Sequence, residues 1–289
     1  MAVKRLLLAL LLVLWGAAAQ PGSARMQLEV TPGLLAEADY WPGAADKAAV
    51  LILHGFLQTR EFPTVRRLAT ALADEGYSVL TPTLTLGINR RSQSMACEAI
   101  HTHSIEHDVN ELVRWLGWLG NRTGKAPIVV GHSTGGVQLV ALLSSRADLK
   151  VESAVLISLS YFNESGDAGD APGQRARAAA ALRRHDGPGE VGPFQLSYCR
   201  EYVTTPALLL SYLAWDGDRL RTALHRVGAP VTVIAGGDDE RLDRRWLDDL
   251  RESGAAVQFV PGANHFFDVA YEFDLFDEVV AVIEGDARG

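Results

Sequence analysis

The pentapeptide Gly131-His132-Ser133-Thr134-Gly135 has the residue types to present a nucleophilic serine. It lies between a short apolar run at 128–131 and an amphipathic stretch at 135–145, so a strand passes into a helix with no intervening loop. A serine on so sharp a turn is forced into strained backbone angles, and only small residues two positions either side let strand and helix approach. Serine is a weak nucleophile at its own pKa; it needs a base to take its proton and a carboxylate to hold that base in one tautomer. Two later segments offer these partners. Gly236-Gly237-Asp238-Asp239 follows an apolar run at 231–235, and Gly262-Ala263-Asn264-His265-Phe266-Phe267 follows one ending at Val260. Both lie just past the carboxyl ends of strands, where open α/β sheets place their sites. Position alone leaves Asp238 and Asp239 as alternative acids for His265.

Other polar residues need weighing against this set. His54 can be read as a second base or as a support for its own loop, and the loop-supporting reading is preferred. His132 is expected to pack or to line the pocket. The segment from His101 through His103 to His107 and Asp108 crowds imidazoles and carboxylates, which invites a metal reading. The same residues suit a polar helix start, with Thr102 or Ser104 as cap and Glu106 or Asp108 favoured by the helix dipole. The helix start is the reading adopted, and neither a metal nor a cofactor is expected.

The elements that must position these groups read as strands alternating with helices, the pattern of a parallel sheet wrapped by helices. Strands are expected at 48–53, 77–80 (ended by Pro82), 128–131, 151–159, 231–235 and 256–260. Helices are expected at 64–75, 104–119, 135–145, 241–253 and 267–284. Ile105, Val109, Leu112 and Leu116 recur at helical spacing, and Trp115 and Trp118 widen the same face as core residues. The alternation stops at 165–193, which is rich in Gly, Ala, Arg, Asp and Pro and carries a solvated helix at 175–184. The stretch 194–224 reads as helical with a break at Thr205-Pro206.

With the motifs in place, the chain resembles the α/β-hydrolase superfamily from about 50 to 282. Four motifs carry the resemblance in order: His54-Gly55-Phe56 after a strand, the elbow at Ser133, G-x-x-D at Gly236 to Asp239, and G-A-x-H-F-F at Gly262 to Phe267. The resemblance implies an α/β fold with a mostly parallel central sheet flanked by helices and a helical lid inserted at about 161–227. It implies His265 as general base and Asp239, rather than Asp238, as its acid. It also implies that the backbone N–H groups of Phe56 and Thr134 receive the oxyanion. The lid would wall the substrate pocket, and Phe194, Tyr198, Tyr202, Leu208 to Leu210, Tyr212 and Trp215 mostly pack it down. The expected activity is that of an esterase-like or lipase-like serine hydrolase acting on a small-molecule or lipid-like acyl substrate. An acyltransferase or serine peptidase on the same fold is the alternative, and a binding protein with a vestigial triad the more distant one.

Composition narrows the setting. The 289 residues carry a formal net charge of -8 with no basic stripe, which argues against nucleic acid as partner. Lys4 and Arg5, an apolar run at 6–15 and the small residues at 16–19 form the three parts of a secretory signal peptide. Residues 1–19 are therefore expected to be removed, leaving a hydrolase domain at 20–289, exported to a periplasm or beyond, with no stable membrane span. An uncleaved anchor is the rival reading. Cys97 and Cys199 are the only two cysteines, and in an exported chain they suggest one disulfide, with two unrelated thiols as the alternative.

Overall fold

Alternate residues of the short apolar strands face opposite ways, so each strand feeds two cores at once. Val50 and Ile52 of β3 (Ala49–Leu53) enter one apolar cluster, while Leu51 and Leu53 enter the other. Strands buried on both faces in this way need helices on both sides. A computed structural model describes residues 22–162, 171–184, 188–268 and 270–285. The expected signal peptide lies outside the described residues. No helix among the described residues is long and apolar enough to cross a membrane.

Eight strands form one sheet in the order β1-β2-β4-β3-β5-β6-β9-β10. Strands β3, β4 (Ser78–Thr83), β5 (Ile128–His132), β6 (Ala154–Ile157), β9 (Val231–Gly236) and β10 (Ala256–Val260) run parallel. The antiparallel pair β1 (Ala24–Thr31) and β2 (Leu34–Trp41) extends the sheet past β4. Helices α1 (Pro63–Asp74) and α8 (Tyr271–Ile283) supply Leu68, Leu72, Leu275 and Val279 to one core. Helices α2 (Ile105–Thr123) and α3 (Thr134–Ser145) supply Leu112, Trp115, Leu116 and Leu139 to the other.

The structure departs from the expected elements at several points. Strand β4 does not end before Pro82 but runs through it to Thr83, with Pro82 opposite Ala38 of β2. Its pairing with β3 stops at Leu80, so the missing N–H of Pro82 interrupts no bond of that ladder. The hairpin of β1 and β2 was not anticipated, although Met26, Leu28 and Val30 alternate with polar neighbours and Thr31-Pro32-Gly33 supplies a turn. The stretch 194–224 is not helical throughout. It opens with a hairpin of β7 (Gly192–Leu196) and β8 (Cys199–Thr204), and only then come α5 (Pro206–Leu213) and α6 (Gly217–Leu224). The run Tyr202-Val203-Thr204 favours a strand, and Pro206 starts α5 at its first turn with Thr205 as cap rather than breaking a longer helix.

Between β6 and β9 also lies α4 (Ala171–Leu182), whose Ala178 is fully buried, so it packs on the domain more closely than a solvated helix would. The hairpin docks on the loops that follow β3 and β4. The N–H of His101 donates to Val203 O at 2.8 Å, and Cys97 is bonded to Cys199 across a separation of 102 residues, with Cα atoms 5.3 Å apart. By the chain-entropy account, closing a loop of this length stabilises the fold by up to about 4.7 kcal/mol. Reduction, or paired Cys97→Ala and Cys199→Ala substitution, is expected to lower the unfolding midpoint by several degrees. Thermal denaturation with and without reductant checks this, and an unchanged midpoint would count against the contribution.

Candidate active site

Ser133 sits between β5 and α3 with φ 54° and ψ -130°, a left-handed setting costly for any residue but glycine. The neighbouring glycines explain how the chain tolerates so tight a passage. A Cβ on Gly135 would lie 2.4 Å from His54 O, and one on Gly131 would lie 2.8 Å from Gly136 N. Helix α3 thus starts directly against the end of β3, with the serine at the junction. Its hydroxyl points at His265, whose Nε2 is 3.0 Å from Ser133 Oγ. On the far side of the ring, Nδ1 is 2.8 Å from Asp239 Oδ2. These three groups come from the ends of β5, β9 and β10, and all are buried.

The hydrogen bonds define the proton positions. A carboxylate accepts only, so Nδ1 of His265 carries the ring proton and Nε2 is free to accept from Ser133. Burial pushes the Asp239 carboxyl upward. Its hydrogen bond and charge interaction with His265, together with the N–H of Arg241 at 3.0 Å, outweigh that and hold it below its ordinary value. Of the two neighbouring aspartates, Asp239 is the one joined to His265. Asp238 is exposed, and its N–H donates to Ala263 O.

The loop after β3 lies beside the serine: a Cβ on Gly55 would fall 3.4 Å from Ser133 Cβ. His54 fixes this loop. Its Nε2 accepts from the N–H of Leu84 at 3.1 Å and faces the Arg91 guanidinium at 3.4 Å, so Nδ1 bears the proton and donates to Gly55 O at 2.9 Å. In a trans peptide the C=O and the following N–H point opposite ways, so holding Gly55 O also aims the Phe56 N–H. Thr134 is the first residue of α3, and its N–H has no acceptor within the helix. Burial, then the charge of Arg91, lowers the pKa of His54 to about 3, which keeps it neutral and removes it as a base. Arg91 was not foreseen. Buried, it donates to Leu84 O at 2.6 Å, Gln58 O at 2.7 Å and Gln93 O at 2.9 Å, tying the loop after β3 to the loop after β4.

His132 packs, as expected, stacked on Phe62, with Nε2 donating to His265 O at 3.0 Å. The segment opening α2 is a capped helix start: Ser104 Oγ accepts from the His107 N–H at 3.3 Å. His101 stacks on Tyr202 with ring centroids 4.0 Å apart. His103 is hydrogen-bonded to the hydroxyl of Tyr212, which donates to Asp108 at 2.7 Å, and Gln138 donates to the same carboxyl at 2.6 Å. These side chains bind α2 to α3 and α5, and the loop before α2 to the hairpin and α5.

One turn along α2, Glu111 accepts from the N–H of Thr85 at 3.0 Å and from its hydroxyl at 2.7 Å, and burial pushes its pKa up to about 7. A carboxyl with a raised folded-state pKa stabilises the fold most fully below its unfolded value of about 4.5 and loses that contribution as pH rises through about 7. Glu111→Gln should remove this dependence. Relative to wild type, the variant is expected to gain about 2 kcal/mol between pH 5 and pH 8. Denaturant unfolding at the two pH values measures the difference, and parallel curves would refute it.

Phe56, on the loop beside the serine, packs against Phe162, Tyr198 and Tyr202, with ring centroids 5.5 to 5.8 Å apart. Tyr198, at the hairpin tip, donates its hydroxyl to Phe56 O at 3.1 Å.

The fold that carries these residues has counterparts. A family model described as "Alpha/beta hydrolase family" matches residues 50–281. The chain belongs to that family. Among solved structures, the fold of an α/β hydrolase from Penicillium sp. sh18, GrgF, superposes with a TM-score of 0.68 at 11% identity, covering 91% of this chain and 98% of that one. A thioesterase domain from the curacin biosynthetic pathway gives 0.61 at 17% identity, covering 91% of this chain and all of the other. Est1E from Butyrivibrio proteoclasticus gives 0.61 at 13% identity, covering 92% of this chain and all of the other. No curated protein matches the sequence. At such identities the solved structures speak for the fold, and the α/β-hydrolase frame is what places strand ends β3, β5, β9 and β10 around one serine.

Proposed function

We propose that this α/β hydrolase is a serine hydrolase that cleaves carboxylic esters, or closely related acyl bonds, through an acyl-enzyme. The observation that carries the reading is the unbroken relay from Ser133 Oγ to His265 Nε2 at 3.0 Å and from Nδ1 to Asp239 at 2.8 Å. Ser133 attacks the acyl carbon as His265 takes its proton, and the imidazolium is stabilised by Asp239. The tetrahedral oxyanion is received by the N–H groups of Phe56 and Thr134, the first aimed by His54. His265 then passes the proton to the departing alcohol. Water enters, gives a proton to His265, and attacks the acyl-enzyme to release the acid. Aligned backbone donors of this kind each contribute roughly 10² to 10³ in rate.

The segment at about 161–227 acts in this reading as a lid, its hairpin covering Phe56 and the acyl group. The aromatic surfaces of Phe56, Phe162 and Tyr198 favour an apolar acyl chain or aryl group. The amino-terminal signal pattern and the disulfide support an exported, periplasmic or secreted enzyme. Hydrolysis of p-nitrophenyl esters of increasing acyl length tests the reading. Turnover with a clear optimum in chain length is expected, and no turnover across the series would sink it. Product analysis with added alcohols or peptide amides separates hydrolysis of esters from acyl transfer and peptide cleavage.

A further inference from the structure

Ser160 brings a second hydroxyl to the nucleophile. It follows β6 by three residues and is buried, with its Oγ 3.2 Å from Ser133 Oγ. The turn that carries it is firmly held. Leu159 is fully buried and its carbonyl accepts from Trp246 Nε1–H at 2.8 Å, while Phe162, two residues further on, is also buried. The approach is from the β6 side of the serine, away from β3 and the Gly55-Phe56 peptide.

Proton accounting assigns the direction of this contact. His265 Nδ1 spends its proton on Asp239, so Nε2 accepts the only proton of Ser133. The donor between the two hydroxyls is therefore Ser160. We propose that Ser160 is a further catalytic residue, whose hydroxyl donates to Ser133 Oγ and stabilises the negative charge that this oxygen gains twice in each turnover. The inference rests on the acyl-enzyme reading above.

In acylation, Oγ loses its proton to His265 Nε2 while the bond from Oγ to the acyl carbon forms. In deacylation, water gives its proton to His265 and bonds to the carbon. The bond from the carbon to Oγ then breaks, and Oγ recovers a proton from His265. Ser160 keeps its own proton throughout, so it acts as a hydrogen-bond donor and not as an acid or base. The resting contact is longer than the roughly 2.7 to 2.8 Å usual for paired hydroxyls. Hydrogen bonds to charged oxygen are shorter and about twice as strong as neutral ones, so this one tightens as charge builds on Oγ. An interaction stronger in the transition state than in the resting enzyme is the kind that raises rate.

The experiment compares Ser160→Ala with the shape-matched pair Ser160→Thr and Ser160→Val in the full-length mature chain. It measures the rate of covalent labelling by a fluorophosphonate, steady-state ester hydrolysis and the melting temperature. Labelling depends on the reactivity of Ser133 and would not follow a purely structural loss. For the alanine variant, labelling and kcat/KM should both fall about tenfold, with melting near that of wild type. The threonine variant should exceed the valine variant by a similar factor, because the two differ chiefly in the hydroxyl. If the alanine variant does not fold, that paired comparison decides. Wild-type labelling by Ser160→Ala overturns the proposal, and so do equal rates for threonine and valine. A fall in kcat/KM without a fall in labelling also overturns it, by assigning Ser160 to substrate binding. Failure of the acyl-enzyme reading looks different: wild-type enzyme that does not label, or hydrolysis that survives Ser133→Ala.

Discussion

Ser133→Ala is expected to lower ester hydrolysis by roughly 10⁴- to 10⁶-fold and to abolish fluorophosphonate labelling, with the fold retained. The size of the effect follows from the relay. His265 accepts the serine proton at 3.0 Å and is held by Asp239, so removing Oγ leaves a base with nothing to activate except water. Alanine removes one oxygen and leaves the turn with the same φ of 54°, so the strain at this position is unchanged. The N–H of residue 133 still reaches Ile157 O at 2.8 Å. Hydrolysis at the wild-type rate in a variant with native melting would refute Ser133 as nucleophile.

Asp239→Asn should cost about 10⁴-fold in kcat, while Asp238→Asn stays within about twofold of wild type. Here the reason is orientation of a proton. The N–H of Arg241 donates to one carboxylate oxygen of Asp239, and His265 occupies the other. In the amide, the single remaining oxygen is drawn to Arg241, which turns the NH₂ group towards His265 Nδ1. That nitrogen must then accept, its proton moves to Nε2, and Nε2 no longer takes the proton of Ser133. Equal losses in both variants, or a loss only in Asp238→Asn, would overturn the assignment. Kinetics with a single activated ester are sufficient to tell the outcomes apart.

Much of this site was legible in the sequence because its chemistry is local. The elbow is written in five consecutive residues, and Asp239 and His265 each follow a recognisable apolar run. The contest between Asp238 and Asp239 was not settled by position, because adjacent residues at a strand end point different ways and only the folded loop shows which side chain turns inward. Ser160 and Arg91 were not legible. Each owes its place to contacts between loops far apart in sequence, and neither sits in a spacing that announces a role. A signal for Ser160 did exist in its position just past a strand end, shared with the three relay residues.

For the fold, the buried parallel strands were readable as continuous apolar runs bounded by turn residues. The hairpin of β7 and β8 was misread because its half-buried strands are short and lie between helices, where helical periodicity in the flanking residues dominates a window. Long-range closure decided it: Cys199 is bonded to Cys97, and Val203 accepts from His101. Pro82 shows the opposite error, a strong breaker tolerated because its strand had already parted from one neighbour.

The bridge between Cys97 and Cys199 also sets what happens to a nicked chain. Ser133 lies inside the loop that it closes, whereas Asp239 and His265 lie beyond it. A single cut anywhere between 98 and 198 leaves two pieces that stay covalently joined. For a cut after Ser133, the serine belongs to the first piece and its hydrogen-bond partner His265 to the second, so a protease can divide this hydrogen-bonded set between two fragments without letting them diffuse apart.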